Sequence, residues 1–400
     1  YDISELAGDW SFHNLVSGDD SHWIGWEYGD IGIDTDGNVS ISGNAPGGFT
    51  FSDTTTASVS DDGLVKTVDG DNSHGVVSTD RSLIVVTSDH PNGGYDLNVL
   101  ARQEPDVSYA IADMAGTWSV HELIAADASG IPGWMHGSMT VEADGSFTVT
   151  DMIEFDESIP DYASTLEIAG NGVLTEVGNE TFHGFLNAAK NLAVFTDDTD
   201  SGGSGYLLGF AVKQSSEAQF NLQDFIGTWY AHQLVSGNAG ESQEPSWAYS
   251  TLVVDSSGYI EYFEVDHEGD TDTNVFESTL SIDAEGIVTD SENPSLQGVM
   301  SSDKTLMVIT ETVAPENHPM LTVLVKKADD VDKDGMEDGW EQAWFGDLEQ
   351  GKTTDYDSDG LLDIEERGHG TDPTDADTDG HGLKDGWEVD NGFDPLADDS

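Results

Sequence analysis

Three observations predict a mainly β protein: three tandem eight-stranded up-and-down β-barrel-like domains followed by a calcium-stabilised tail of loops and short helices. One motif, Gly-x-Trp-x-x-His-x-Leu, opens three stretches of similar length, its tryptophans lying 108 and 111 residues apart. Within each stretch, short alternating apolar and polar runs are separated by Asp/Gly turns, the pattern of half-buried strands in hairpins. Beyond them, carboxylates and glycine recur three times at one spacing.

The repeat sets the domain boundaries. Gly8, Trp10, His13 and Leu15 are matched by Gly116, Trp118, His121 and Leu123, and again by Gly227, Trp229, His232 and Leu234. Domains are therefore expected at 1–104, 108–214 and 220–327, with the tail at 329–400. In each copy a second tryptophan (Trp26, Trp134, Trp247) leads a strand that ends at Asp36-Gly37, Asp144-Gly145 or Ser257-Gly258, and the next strand follows at once, as in a hairpin. A second pair of strands flanks Asp62-Gly63, Asn171-Gly172 or Glu285-Gly286. The last three strands contain His74, His183 or Gln297, then begin at Leu83, Leu192 or Leu306, and close over Asp96–Ala101, Tyr206–Val212 and Leu321–Val325. No helical stretch of any length intervenes. Eight sequential strands suit a closed barrel, because closure removes the exposed edges of an open sheet. The opening Gly-x-Trp resembles that of the calycin group, the lipocalins, avidins and their relatives; this resemblance implies a meander barrel with a lumen for a ligand, and does not imply an activity. The linkers at 103–106 and 214–217 are short and polar, so the domains are expected as beads on a stiff string.

In the tail, Asp330, Asp332 and Asp334 alternate, Gly335 follows, and Asp338 and Glu341 close the run, with Met336 placed to offer its carbonyl. The second turn repeats this with Asp355, Asp357, Asp359, Leu361, Asp363 and Glu366, and the third with Asp377, Asp379, His381, Leu383, Asp385 and Glu388. Such spacing turns oxygens inward on one point, and a hard cation of the calcium type takes six to eight of them. These residues resemble the thrombospondin type 3-like, EF-hand-loop repeats of secreted bacterial proteins, in which an apolar residue follows the glycine and a short Asp-Gly-Trp-Glu helix comes next. Asp338-Gly339-Trp340-Glu341 and Asp385-Gly386-Trp387-Glu388 fit; Asp363-Ile364-Glu365-Glu366 departs. About three Ca2+ ions are expected in the tail. Imidazole is a poor calcium ligand, so His381 should weaken the third loop. Residues 393–400 parallel the lead-in to that loop, so the natural chain is expected to continue past Ser400 or to be processed there.

Charge is the extreme feature of the composition. Twelve basic residues against 79 acidic ones give −67, of which −21 falls in the tail and −46 in the first 328 residues. Such a field repels nucleic acid and anionic surfaces and gathers divalent cations. No cysteine is present, so nothing is stapled by disulfides, and no apolar run is long enough to span a membrane. Calcium loops of modest affinity are useful where calcium is plentiful. The expected location is therefore secreted or cell-surface, with Tyr1 as a processed N-terminus.

Other candidate sites yield less. His13, His121 and His232 share a strand face with Leu15, Leu123 and Leu234, opposite the motif tryptophans. No partner of fixed spacing recurs beside them, so they read as structural histidines bonded to a neighbouring strand. The tryptophan pairs offer stacking faces for a glycan, although the expectation is that one of each pair plugs the barrel and the other is partly exposed. Asp197–Asp200 reads as a loop tip. Gly-x-Ser-x-Gly elbows, HExxH and phosphate loops are absent, and no enzymatic activity is expected. The function so implied is a calcium-binding structural or adhesive protein that self-associates into a fibre, layer or matrix, or docks on another surface protein. The alternatives are a binder of carbohydrate or a small apolar molecule with the tail as spacer, and a non-catalytic part of a larger secreted hydrolase.

Overall fold

The computed structural model describes residues 1–327 apart from 19–22, 61, 68–71, 127–130, 155–156, 200–204, 216–219, 238–244, 256–258, 278 and 314–317; in the tail it describes 336, 341, 344–345, 349–351, 353–369, 371–391, 393 and 395–396. Two compact units result, Tyr1–Lys327 and Ala328–Ser400.

Each of the three copies begins with a single 3-10 turn, at Ile3–Leu6, Ile111–Met114 and Leu222–Phe225, which the sequence reading did not anticipate. The signal was a capping box: Asp2 accepts from the Ser4 N–H while Glu5 accepts from the Asp2 N–H, and Asn221 and Asp224 repeat the exchange. The turn ends against the motif tryptophan. Trp10, Trp118 and Trp229 donate their indole N–H to the carbonyls of Leu6, Met114 and Phe225 at 3.0, 2.8 and 2.9 Å. A cation from the last strand lies over each ring: Arg102, Lys213 and Lys326, at 5.7, 5.2 and 5.3 Å from the ring centres. The tryptophan thus plugs one end of its sheet and anchors a separate interior core in each copy.

The first copy is a closed antiparallel barrel of eight strands, from Gly8–Ser17 to Tyr95–Arg102. The second also closes, with a two-residue strand, Glu157–Ser158, added at its side. The third departs from the expected eight-stranded barrel: its nine strands form a curled open sheet. The reason is a break. The stretch equivalent to the long fourth strand Phe49–Val59 is split into Thr271–Glu277, which pairs backwards, and Leu280–Ile282, which pairs forwards, and the two halves do not pair with each other among the described residues.

Nor are the copies beads on a string; they form one compact unit closed by three equivalent contacts. His13, on the first strand of copy one, meets Thr196 of copy two through Nδ1 at 3.1 Å; His121 meets Thr310 of copy three, and His232 meets Thr87 of copy one, each at 3.1 Å. Beside them Trp26, Trp134 and Trp247 donate to Asp198, Thr312 and Asp89 at 2.7, 2.8 and 2.9 Å. Both partner side chains in each contact lie on the penultimate strand of the following copy, two residues apart.

Alternation explains the closure. Trp10 and Phe12 point into the first barrel, so His13 and Leu15 point out, and an outward apolar row has to be covered. The outward rows of all three copies meet in one shared core: Leu15, Leu123 and Leu234 pack with Val85, Val194 and Val308 and with Leu97, Leu208 and Leu321, all 0% exposed. Each such side chain contributes about 1.5–3 kcal/mol.

Candidate metal centre

The tail gathers its charges into built loops. Helices α1 (Asp363–His369) and α2 (Asp385–Asn391) each begin at the loop's ninth residue, so the last carboxylate, Glu366 or Glu388, stands one turn in and faces back. Gly360 and Gly382 hold φ of +108° and +101° at the sixth position, in the region where a Cβ would be strained.

In the second loop, backbone N–H groups gather the carboxylates from behind. Asp355 accepts from Asp359 at 3.1 Å and from Gly360 at 3.2 Å, and Asp363 accepts from Tyr356 at 2.8 Å. Carboxylate oxygens of Asp355, Asp357 and Asp359 lie within 4.8 Å of one another. Asp363 and Glu366 are wholly buried, yet Asp357 Oδ2, Asp363 Oδ2 and Glu366 Oε2 have no hydrogen-bond partner. Burial, and then the charges of Asp357, Asp359 and Asp363, push the Glu366 carboxyl up to about 8; burial and then Asp359 push Asp357 to about 6. Buried carboxylates that repel one another want a cation among them. Because the donors are all oxygen, they fit a hard ion such as Ca2+ rather than a thiophilic or imidazole-seeking metal.

The third loop repeats two of these bonds: Gly382 N–H to Asp377 at 3.0 Å and Thr378 N–H to Asp385 at 3.0 Å. Its interior differs. The His381 ring, whose side chain is 3% exposed, bonds Asp379 through Nδ1, lies 3.9 Å from Asp377 Oδ1, and approaches Glu388 Oε1 through Nε2 at 3.5 Å. The bond to Asp379 raises the His381 pKa against the effect of burial, helped by the charges of Asp379, Glu388 and Asp377. An imidazole therefore stands where the second loop carries Asp359. Leu383, proposed as a carbonyl donor, has an exposed side chain, whereas its counterpart Leu361 is buried.

The two loops are in contact, which the spacing did not foretell. Gly386 N–H donates to Asp359 Oδ2 at 2.6 Å, and Lys384 Nζ to the Ser358 carbonyl at 2.9 Å. A Cβ at Gly386 would stand 2.7 Å from the Leu361 nitrogen, so the glycine of this Asp-Gly-Trp-Glu is required by close approach. Of the first loop, Met336 and Glu341 are buried; Asp330, Asp332, Asp334 and Asp338 lie outside the described residues.

The remaining candidates take other roles. His13, His121 and His232 belong to the contacts between copies, and burial holds their pKa values low, at about 3 for the first two and well below the usual range for the third. The six paired tryptophans are all buried, none above 5% exposure. The expectation that one of each pair is partly exposed fails, because the second member is covered by the neighbouring copy, and these rings offer no open face to a glycan. Asp197 and Asp198 lie in a strand, Leu192–Asp198, rather than at a loop tip; Asp200 lies outside the described residues. Among the described residues no helix is long and apolar enough to cross a membrane.

No family model matches the chain. It is 28% identical over 189 residues to the Probable pectate lyase C of Aspergillus flavus, a match that covers 44% of this chain and 41% of that protein; the chain thus spans about two-fifths of the length of that relative. Among solved structures it is similar to transferrin binding protein B of Neisseria meningitidis (8% identity, 80% of this chain, 76% of that one, TM-score 0.23) and of Haemophilus parasuis (8% identity, 80% and 76%, TM-score 0.25). A protein of unknown function from the DUF3598 family of Nostoc punctiforme matches 55% of this chain with 99% of its own, at 10% identity and a TM-score of 0.22.

Proposed function

We propose that the tail is a calcium-binding region, of the thrombospondin type 3-like kind that its spacing resembles, in a secreted or cell-surface structural or adhesive protein. The observation that carries this is the second loop, where wholly buried Asp363 and Glu366 join Asp355, Asp357 and Asp359 with oxygens left over. Calcium would be held by those five carboxylates and the Leu361 carbonyl. Once bound, it cancels their repulsion, so ion binding and ordering of α1 and α2 are one equilibrium. A net charge of −67 without cysteine suits surroundings rich in ions, where extracellular calcium loops work at roughly 10⁻⁴–10⁻³ M. Neutralising the tail would let it meet another copy or a surface protein.

The test is a calorimetric titration of the chelator-stripped chain with Ca2+, and with Mg2+ for comparison. Expected are two to three Ca2+ per chain, little heat with Mg2+, and a gain of helical circular dichroism that chelator reverses while the β signal stays. No uptake at millimolar calcium would sink the metal reading. Electron microscopy in the same two conditions tests assembly: fibres or sheets that vanish with chelator support it, and dispersed monomers in both discard it while leaving the metal site standing.

A further inference from the structure

The three copies differ most inside. At the inward position after the motif histidine stand Asn14, Glu122 and Gln233. In the first barrel the interior charges are matched from within: Glu27 accepts from Asn14 at 3.3 Å and lies 3.6 Å from His90 Nε2. Burial works against the His90 charge, but the bond to Glu27 and the charges of Asp96 and Glu27 outweigh it and raise its pKa. Among the described residues, the second barrel has no such cation. It encloses a cavity of about 450 Å³, in the range of small-molecule sites, roughly 300–1,000 Å³, against about 200 Å³ in the third copy. Met139, Phe147, Leu166 and Phe182 are among its walls, and Glu122, Glu154, Glu176 and Asp197 line it too, with no lysine, arginine or histidine.

The carboxylates are gathered toward one end. Glu122 lies four residues along the strand from the Trp118 plug, about 13 Å at roughly 3.3 Å per residue, and Met135 pairs with both Glu122 and Glu154 across adjacent strands. Asp197 is partly satisfied by Thr181 at 2.6 Å and Asn179 at 2.7 Å, and Glu176 by Tyr162 and Asn179. Glu122 is 9% exposed and accepts no hydrogen bond from any described residue; burial, then Asp197 and Glu154, push its carboxyl up to about 8. A metal ion does not fit, since the described clusters that bring three ligand atoms within 4.8 Å lie in the tail. A wide apolar tube with spread carboxylates at one end suits a diffuse cation with an apolar body.

We propose that the interior of the second barrel binds a small organic cation, an ammonium carried on an apolar or aromatic body, with Glu122 as its principal partner. The ammonium replaces the counter-charge that His90 supplies in the first barrel, and the body fills the space above Trp118.

Phenethylamine and its neutral counterpart 2-phenylethanol, titrated calorimetrically into the full chain in 0.15 M salt, make the test. The amine should bind once per chain and at least tenfold more tightly than the alcohol. Glu122→Gln should remove that preference, and Val149→Phe, which fills the cavity, should remove binding of both while near-ultraviolet circular dichroism shows the barrels intact. Equal binding of amine and alcohol would overturn the proposal, as would no amine binding at millimolar concentration. Amine binding that survives both variants would mark condensation on the acidic surface and would overturn it equally.

Discussion

The contacts between the copies and the second loop of the tail bury polar groups in different ways. Where the copies meet, polar side chains find partners on the next copy: three histidine–threonine contacts and three indole N–H bonds to aspartate or threonine. In the second loop of the tail, Asp363 and Glu366 are buried with oxygens that no donor reaches. Buried polar groups are tolerated when satisfied and costly when not. Each contact between copies is therefore made by protein groups on both sides, whereas the second loop keeps charged oxygens in excess of its donors.

The largest break in that comparison comes from the shared core. Leu15→Ala removes a side chain at 0% exposure from the cluster where all three copies meet, and should cost about 2–5 kcal/mol. Leu123→Ala and Leu234→Ala, the equivalent positions, should cost similar amounts. Thermal unfolding followed by β circular dichroism reads the loss, and the calcium titration of the tail should not change. A cost confined to one of the three would mean that the copies are not equivalent partners.

Acid should loosen the same contacts. The His74 pKa is held down at about 4 by burial and then by Lys66, and those of His13 and His121 at about 3 by burial and then by His183 and His136. A folded pKa below the unfolded value of about 6.5 means that the unfolded chain takes up the proton first. The contribution is thus complete above pH 6.5 and is lost progressively as pH falls toward 4 and 3. Buried carboxyls run the other way: Asp96 and Glu311, raised to about 7 chiefly by burial, favour folding at low pH and lose that contribution as pH rises through 7. The histidine arm is isolated with His74→Gln, since the third copy already carries Gln297 there. Between pH 7 and 4.5 the wild type should lose about 2–3 kcal/mol more than the variant. Parallel pH profiles would exclude this role for His74.

Much of this was legible in the sequence, and the rest was hidden for physical reasons. Turns and strands could be read because their causes are local: an Asp/Gly pair at each hairpin, alternation between hairpins, one tryptophan per copy at one phase. Closure into one unit was missed although its signal was present. Phe12 and Leu15 are apolar on opposite faces of one strand, and a barrel wall of that kind needs cover outside as well as in. Leu15 needs cover that its own barrel does not supply. His74, His183 and Gln297 looked like an unreliable repeat until seen across the contacts, where Tyr249 stacks on His74 at 3.5 Å and Tyr28 on His183 at 4.0 Å; the third copy's Gln297 corresponds to a change of the facing position from tyrosine to His136. The opening of the third sheet goes with two separate short strands, Thr271–Glu277 and Leu280–Ile282, where the first copy has one, a division that no distinctive residue of the described strands announces. Glu122 was visible as the odd member of Asn14, Glu122 and Gln233 on the face of the motif tryptophan, but only the register showed which carboxylates of other strands it meets.

The finest comparison lies between two loops of the tail that share the bonds to their first and ninth carboxylates and differ at the fifth position. Asp359 supplies a carboxylate there; His381 supplies an imidazole that already occupies Asp379 and faces Glu388. For a hard cation the second loop should be the tighter site, because the imidazole neither matches calcium nor leaves Asp379 free to turn toward it. The reciprocal pair His381→Asp and Asp359→His separates donor chemistry from position. His381→Asp should tighten the weaker calcium step by roughly tenfold, about 1.4 kcal/mol, and Asp359→His should weaken the tighter step at least as much, since it also removes the acceptor for Gly386 N–H. Calorimetry resolves the two steps. If the swaps leave both affinities in place, the side chain of the fifth residue is not a ligand in either loop, and the difference between them must then lie in how deeply Leu361 and Leu383 seat their carbonyls.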